Sequence, residues 1–371
     1  MQKPKIHIVS FDNPYPPNYG GVIDVFYKIK ALNLLGYEIY LHCFVSEKIE
    51  CSQELKAITK EVFFYKYFKN PFLQFLKTPF SVACRNNKQL VKNIQKINAP
   101  ILFEGLKTTF LVNKNEFKEY FKILRLHNIE QDYFAGLAIS EKSWPQKMIF
   151  YLESFKYGNY ENVISKFDKT ITLSNYENNY INNKFGNSVY VPVFHGNENV
   201  LPLIGKGSFA LYHGDLQTAD NRKAVLFLVS VFKELPNFKL IIASGSNENF
   251  VNDVIGKQEN VTFEKIKNFE HLQELLQQAH INISWSFQRS GTKLKVINAL
   301  FNSRFSIINE NVIDDDVVSG LCVTVFNKEQ LIDKIKELEN ATFEDFDKRK
   351  KILEVYLNDI KNAELIDKLI S

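Results

Sequence analysis

Seven consecutive residues carry the clearest chemical signal in this chain: Arg289, Ser290, Gly291, Thr292, Lys293, Leu294 and Lys295. They lie within "SWSFQRSGTKLKVINALFNSRFSII", Ser284 to Ile308, which reads as strand, helix, strand. The small residues and the cations stand where the helix begins. A helix start leaves its first N–H groups unpaired and carries a partial positive charge. Gly291 lets the backbone approach a ligand closely. Ser290 or Thr292 can cap the helix or donate to an oxygen. Lys293 and Lys295 add full charges, and Arg289 offers a planar fork suited to phosphate. The expected chemistry is anion binding, phosphate above all, at a strand-to-helix turn. The plainer reading is a capped helix with solvated lysines. The helix itself reads as core, with Leu294, Ile297, Leu300 and Phe301 at helical spacing.

Two further residues are expected at one sheet edge. Glu104 ends the strand-like "ILFEG", and His127 follows the apolar "KILRL". Glu104 has the chemistry of a general base on an acceptor hydroxyl; it could equally cap the following helix. A lone histidine at a strand end is often structural, and it is also a residue that moves protons near neutral pH. Asp314, Asp315 and Asp316 lie in a polar connection and read as a solvated charge run, so no metal site is expected. "VFFYKYFKNPFLQFLKTPF", Val62 to Phe80, interleaves aromatics with lysines. It reads as core or as an amphipathic surface in peripheral contact with a membrane. Nothing else supports stacking on nucleic acid.

The elements that must position these residues follow a regular rhythm. "KIHIVSF" is an apolar run that ends in the loop "DNPYPPNYGG". Val22, Val25, Phe26, Ile29 and Leu32 then recur at helical spacing, Gly36 ends that helix, and "EIYLHCFV" is the next strand. Strand, helix, strand in this order is the unit of a parallel sheet. "VFFYKYF", "ILFEG", "KILRLHN" and "KTITLS" continue the array. "VYVPVFHGN" and the loop to Gly207 read as a linker. The rhythm restarts with "FALYHGD", a helix from Arg222 to Glu234, "FKLIIASG", "VTFEKI" and "INISWSF". The expected architecture is α/β, with two Rossmann-like domains facing across a cleft. Residues 1–191 form the first domain and 192–342 the second, with helix about 343–371 packing back on the first. Ligands of such sheets bind at the carboxyl ends of the strands.

Bulk composition agrees with a two-domain globular chain. Of 371 residues, 45% are hydrophobic and 24% charged. A net charge of +4 with a pI near 8.6 fits an anionic small substrate or a membrane surface better than a nucleic-acid footprint. The four cysteines, Cys43, Cys51, Cys84 and Cys322, show no metal-ligand spacing. The N-terminal run has no signal-peptide pattern, and no stretch of about 18 apolar residues exists. A cytoplasmic protein is expected.

The whole chain resembles the GT-B glycosyltransferases, in particular family 4-like bacterial enzymes of a Bacteroidetes type. Three segments carry the resemblance: "PYPPNYGGVIDVFYKIKALNLLGYEI", "LRLHNIEQDYF" and "SGTKLKVINALFNSRFSII". It implies transfer of a sugar, with retention of configuration, from a nucleotide diphosphate sugar to a glycan or lipid-linked acceptor in surface polysaccharide synthesis. It implies no cofactor and no bound metal. Gly20 and Gly21 would sit under the donor diphosphate, His127 beside the transferred sugar, and Gly291, Thr292 and Lys293 against the diphosphate. Gly214 falls on the donor side. The family's paired glutamates are replaced by Ser290 and Asn298; Asn298 can still hydrogen-bond a ribose. Asp215 stands where a basic residue is usual, and Arg222 or Lys223 could supply that charge. Two alternatives follow from these departures: a nucleotide-sugar-binding protein with impaired catalysis, and a nucleotide-sugar 2-epimerase.

Overall fold

The computed structural model describes residues 3–141, 143–289 and 294–371. Two compact units divide the chain: Met1–Gly196 with Asp359–Ser371, and Asn197–Asn358.

The first unit is built on a seven-stranded, all-parallel sheet. Its strands are β1 (Lys5–Ser10), β2 (Glu38–Val45), β3 (Glu61–Lys66), β4 (Ile101–Glu104), β5 (Lys122–Arg125), β6 (Lys169–Thr172) and β7 (Ser188–Tyr190). Their order across the sheet is β3-β2-β1-β4-β5-β6-β7. Helices cover both faces of such a sheet, which is why its strands read as continuous apolar runs. Ile6 and Ile8 enter one core with Val25 and Ile29, whereas Val9 enters the other with Phe44 and Phe103. Helix Gly20–Leu34 buries Val22, Val25, Ile29 and Leu32, as its periodicity predicts. Gly36, at a φ of 92°, takes the left-handed turn just past its end.

The second unit carries a six-stranded sheet, again parallel throughout. Its strands are β8 (Phe209–His213), β9 (Leu240–Ser244), β10 (Val261–Lys265), β11 (Ala279–Ser284), β12 (Phe305–Ile308) and β13 (Val323–Thr324), ordered β10-β9-β8-β11-β12-β13. In both sheets the order reverses beside the first strand, between β1 and β4 and between β8 and β11. Ligands of open parallel sheets bind at the strand carboxyl ends at that reversal.

Two boundaries differ from the sequence reading. The stretch expected as a linker contributes β7 at the sheet edge, and pairing stops just before Pro192, which has no N–H to donate. The break between units falls after Gly196 rather than at 191. The tail does not return as one brace from residue 343. Helix Phe346–Tyr356 stays with the second unit because Arg349 is buried there, donating to the carbonyls of Leu300, Ser303 and Arg304 at the end of helix Leu294–Asn302. Only helix Asp359–Ile370 joins the first unit. Ala363 and Ile366 enter its core, and Tyr37 Oη donates to Asp367. Asp359 accepts the backbone N–H groups of His195 (3.1 Å) and Gly196 (2.9 Å), so the outgoing and returning strands of chain are fastened together.

Arg349→Met should destabilise the protein by about 3–5 kcal/mol, because it leaves buried carbonyls at a helix end without donors. Urea denaturation checks this; an unchanged midpoint would contradict the role given to Arg349.

Candidate functional site

At the first reversal, β4 ends in Glu104 and the chain turns at Gly105, whose φ of 71° is left-handed. β5 ends in Arg125, with His127 two residues beyond. Helix Gly20–Leu34 faces these strand ends with Asp24 and Lys28, one turn apart. The five side chains form one bonded cluster. Lys28 Nζ lies 2.9 Å from Asp24 Oδ2 and 2.6 Å from Glu104 Oε1. Arg125 donates to both oxygens of Asp24, at 2.9 and 3.3 Å. His127 Nε2 lies 3.0 Å from Glu104 Oε2. Asp24, Lys28, Glu104 and Arg125 are fully buried; only His127 reaches the surface, with 12% of its side chain exposed.

The arrangement fixes the chemistry of each group. A carboxylate can only accept, so His127 Nε2 carries the proton and Nδ1 is the ring's acceptor in the neutral form. Phe11 packs edge-on against the His127 ring at 5.4 Å between centroids. Gly21 makes room for that phenyl ring, since a Cβ there would come within 2.8 Å of Phe11 Cζ. Gly20 opens the same helix and is exposed. Burial opposes ionisation of Asp24, yet Arg125, Lys28 and His127 outweigh it and hold the carboxyl well below the usual range. Glu104 is likewise raised by burial and then lowered by Lys28 and the His127 bond, with the net shift downward.

Glu104 therefore departs from both roles expected of it. It caps no helix, since the short turn Leu106–Thr108 has no side-chain cap. Fully buried, with one oxygen on Lys28 and the other on His127, it has no surface to offer an acceptor hydroxyl. It orients His127. Asp24, Glu104 and His127 also bring ligand atoms within 4.8 Å of one another, a spacing open to a metal ion. Here the positive charge at those carboxylates comes from Lys28 and Arg125, two cations against two anions. Asp24, Lys28 and Arg125 were not singled out from sequence. The signal was there: Asp24 and Lys28 occupy the apolar stripe of their helix with Val25, Ile29 and Leu32, and Arg125 interrupts an apolar strand.

At the second reversal, β8 ends in His213 followed by Gly214, and β11 leads into Trp285 and Ser286. Among the described residues, His213 Nε2 and the Trp285 indole Nε1 are buried with no hydrogen-bond partner. Burial, reinforced by the charge of Lys295, pushes His213 down to about 3. Lys295 is not a solvated lysine. Its ammonium sits over the Tyr212 ring at 4.9 Å and lies 3.5 Å from both Asn221 Oδ1 and the Trp285 carbonyl. Asp220 ties the neighbouring helix to the β11 end by accepting Ser286 Oγ (2.8 Å) and the Phe287 N–H (2.9 Å).

The other expected donor-side residues divide. Gly214 packs against Asn221, whose Nδ2 a Cβ would approach to 3.0 Å. Arg222 Nη1 donates to the carbonyls of Leu216 and Gln217 and holds the loop before its helix. Lys223 is exposed, with its ammonium 4.1 Å from the Phe287 ring centroid. Arg289 is exposed. Asn298 is buried, and Asn197 Nδ2 donates to its Oδ1 at 3.0 Å. Ser290, Gly291, Thr292 and Lys293 lie outside the described residues. Asp315 is not part of a solvated run: it is buried, caps helix Asp316–Ser319 and accepts from Tyr356 Oη at 2.7 Å.

Known proteins place this geometry in a wider setting. No family model matches the chain. A Klebsiella pneumoniae protein, an uncharacterized 44.6 kDa protein in the cps region, is 27% identical over 338 residues, 82% of each chain. A trehalose-6-phosphate structure from E. coli bound with UDP-2-fluoro glucose superposes with a TM-score of 0.68 at 8% identity, over 99% of both chains. Sucrose-phosphate synthase from Thermosynechococcus elongatus gives 0.64 at 14% identity, over 99% of this chain and 96% of that one. WaaG, a glycosyltransferase involved in lipopolysaccharide biosynthesis, gives 0.64 at 10% identity, over 99% of both. The fold is GT-B. At these identities the solved structures speak for the fold, and the chemistry must be argued from the residues.

Because Asp24 and Glu104 are depressed in the folded state, their contribution to stability is present above the unfolded carboxylate value of about 4. It is lost as pH falls through the folded values. Lys28→Met should cost about 3–5 kcal/mol at neutral pH, since it leaves buried carboxylates undercompensated. Their pKa values then rise, so the gap to the parent protein should narrow on acidification. Urea unfolding of both proteins at neutral and mildly acid pH measures this; a gap independent of pH would contradict the network's charge balance.

Proposed function

We propose that the chain is a glycosyltransferase. It moves a sugar from a nucleotide diphosphate sugar to a glycan or lipid-linked acceptor, in the synthesis of a surface polysaccharide, at the cytoplasmic side of the membrane. The observation that carries this reading is full-length agreement of fold with sugar-transferring proteins, one of them holding UDP-2-fluoro glucose. The relative in a cps region supports the polysaccharide setting. The family 4-like resemblance supports retention of anomeric configuration, which NMR of the product anomer tests.

In this reading each reversal has its own task. His127, held by Glu104, hydrogen-bonds the transferred sugar or assists at the reacting carbon. The segment Gly291–Lys293, which precedes helix Leu294–Asn302 in the sequence, receives the donor diphosphate and stabilises it as it leaves, with no cofactor or metal needed for charge neutralisation. His213 Nε2 and Trp285 Nε1, at the ends of β8 and β11, have no partner among the described residues; a ligand oxygen there relieves a cost of about 1–3 kcal/mol per buried group. A second reading, a binding protein with impaired catalysis, is favoured by Ser290 and Asn298 at the usual glutamate positions. A donor-hydrolysis assay separates the two, and product analysis separates both from a 2-epimerase.

A thermal-shift screen across UDP-, GDP-, ADP- and dTDP-sugars should find one donor that stabilises the protein by about 2.7 kcal/mol at 100 times its dissociation constant. Lys293→Ala should weaken diphosphate binding about 10- to 150-fold, the loss of one charge-assisted bond. Nucleoside binding should barely change, and equal diphosphate affinity would remove Lys293 from the site. His127→Ala should lower the transfer rate on the order of 100-fold while donor binding persists. If transfer is unaffected, His127 is structural only.

A further inference from the structure

Helix Trp144–Tyr160 is inside out. Its buried positions hold Glu153, Ser154, Lys156, Tyr157 and Tyr160. Its exposed positions include Trp144, Met148, Tyr151, Leu152 and Phe155, with Trp144 71% and Phe155 68% exposed. Spacings of three and four place these residues on one stripe. A helix of a globular unit normally turns that stripe inward. Here the inward polar groups lock the inversion. Lys156 Nζ bonds Glu153 Oε1 at 2.9 Å and the Gln74 carbonyl at 2.7 Å, and Glu153 Oε2 accepts the Phe80 N–H at 2.8 Å. Those bonds also fasten the aromatic–lysine segment beside the helix. The short turn Pro71–Phe75 in that segment buries none of its own residues. Phe72 is 75% and Phe75 85% exposed. Single exposed apolar residues need no explanation, but a grouped apolar face on a monomer marks something that covers it.

Charge identifies the cover. From Val62 to Phe103 the chain has seven lysines and arginines and no Asp or Glu. Lys66, Lys69 and Lys77 are exposed among the aromatics. Lys77 also lines a cavity of about 290 Å3 with Asn159, Asn162 and Lys166, at the C-terminal end of the same helix. A second copy packed by two-fold symmetry would set these cations against themselves. An anionic bilayer answers both features, with aromatic and aliphatic tips at the interface and lysines on the phosphates. We infer that Trp144–Phe155 and Phe68–Lys77 together form a docking face for an anionic phospholipid surface. The contact is peripheral, since among the described residues no helix is long and apolar enough to cross a membrane. It stands apart from the sugar-transfer reading and needs no activity to be seen.

Flotation of the full chain with phosphatidylcholine vesicles, with and without phosphatidylglycerol, tests it. The protein should float with the anionic vesicles, less so as salt rises, and poorly with the neutral ones. Phe72→Ser with Phe75→Ser, and Trp144→Ser with Phe155→Ser, should each weaken partitioning on the order of tenfold or more. Lys69→Glu with Lys77→Glu should abolish the preference for anionic lipid. All three variants change exposed side chains, so circular dichroism and melting temperature should match the parent. A parent protein that does not float overturns the proposal, as does equal flotation by the folded aromatic variants. A parent dimer in sedimentation that the Trp144/Phe155 variant dissolves without change in flotation assigns the face to a second copy instead.

Discussion

Two carboxylates and two cations without access to water meet where helix Gly20–Leu34 touches the ends of β4 and β5. Taking four charges out of water costs several kcal/mol each unless geometry compensates. Here it does. Asp24 is held by Lys28, by two arms of Arg125 and by the Phe194 N–H. Arg125 also donates to the carbonyls of Val191 and Pro192. The network thereby sets three things together: the pitch of the first helix, the orientation of His127, and the path by which the chain leaves the first unit. The Phe194 ring lies 5.6 Å from Lys28 Nζ and 5.7 Å from the Arg125 guanidinium, so even the apolar neighbour is placed by the charges.

The two sheet reversals are built on opposite polar logic. At the first, every buried charge has its partner inside the protein, and one imidazole edge emerges. That suits a group that must hold position while something passes it. At the second, buried nitrogens of His213 and Trp285 have no partner among the described residues, beside a lysine over an aromatic ring. That suits a surface completed by what it binds. The difference follows from the residues at the strand ends, because the sheets themselves are alike.

The strands were legible because parallel strands covered on both faces must be apolar throughout, as β1, β2, β8 and β9 are. The edge strands β7 and β13 were not, because three- and two-residue strands carry no pattern of their own. His127 and Glu104 were found by place, at the end of apolar runs. Their true relation was hidden, since nothing local in either sequence names Lys28 as the partner of Glu104 across 76 positions. Lys28 was hidden because a lysine within an apolar helical stripe does not announce a buried partner; Lys295 was named as a cation from sequence, but not its seat over the Tyr212 ring. Helix Trp144–Tyr160 escaped for the opposite reason. Its apolar stripe is present in the sequence, but a periodic pattern alone does not say which side faces the core. The tail showed helical spacing to the end, and only the tertiary demand of Arg349 divides it.

The last helix has a consequence for synthesis on the ribosome. Asp359–Ile370 completes a unit whose other residues end at Gly196, with the whole of Asn197–Asn358 made in between. At about 5–20 residues per second, the first unit waits roughly ten to thirty seconds for its final element. During that interval helix Gly20–Leu34 and the backbone N–H groups of His195 and Gly196 lack the neighbours that later cover them. The nascent first unit is thus obliged to persist with an uncovered seam while its companion emerges, and that seam closes only once helix Asp359–Ile370 has been made.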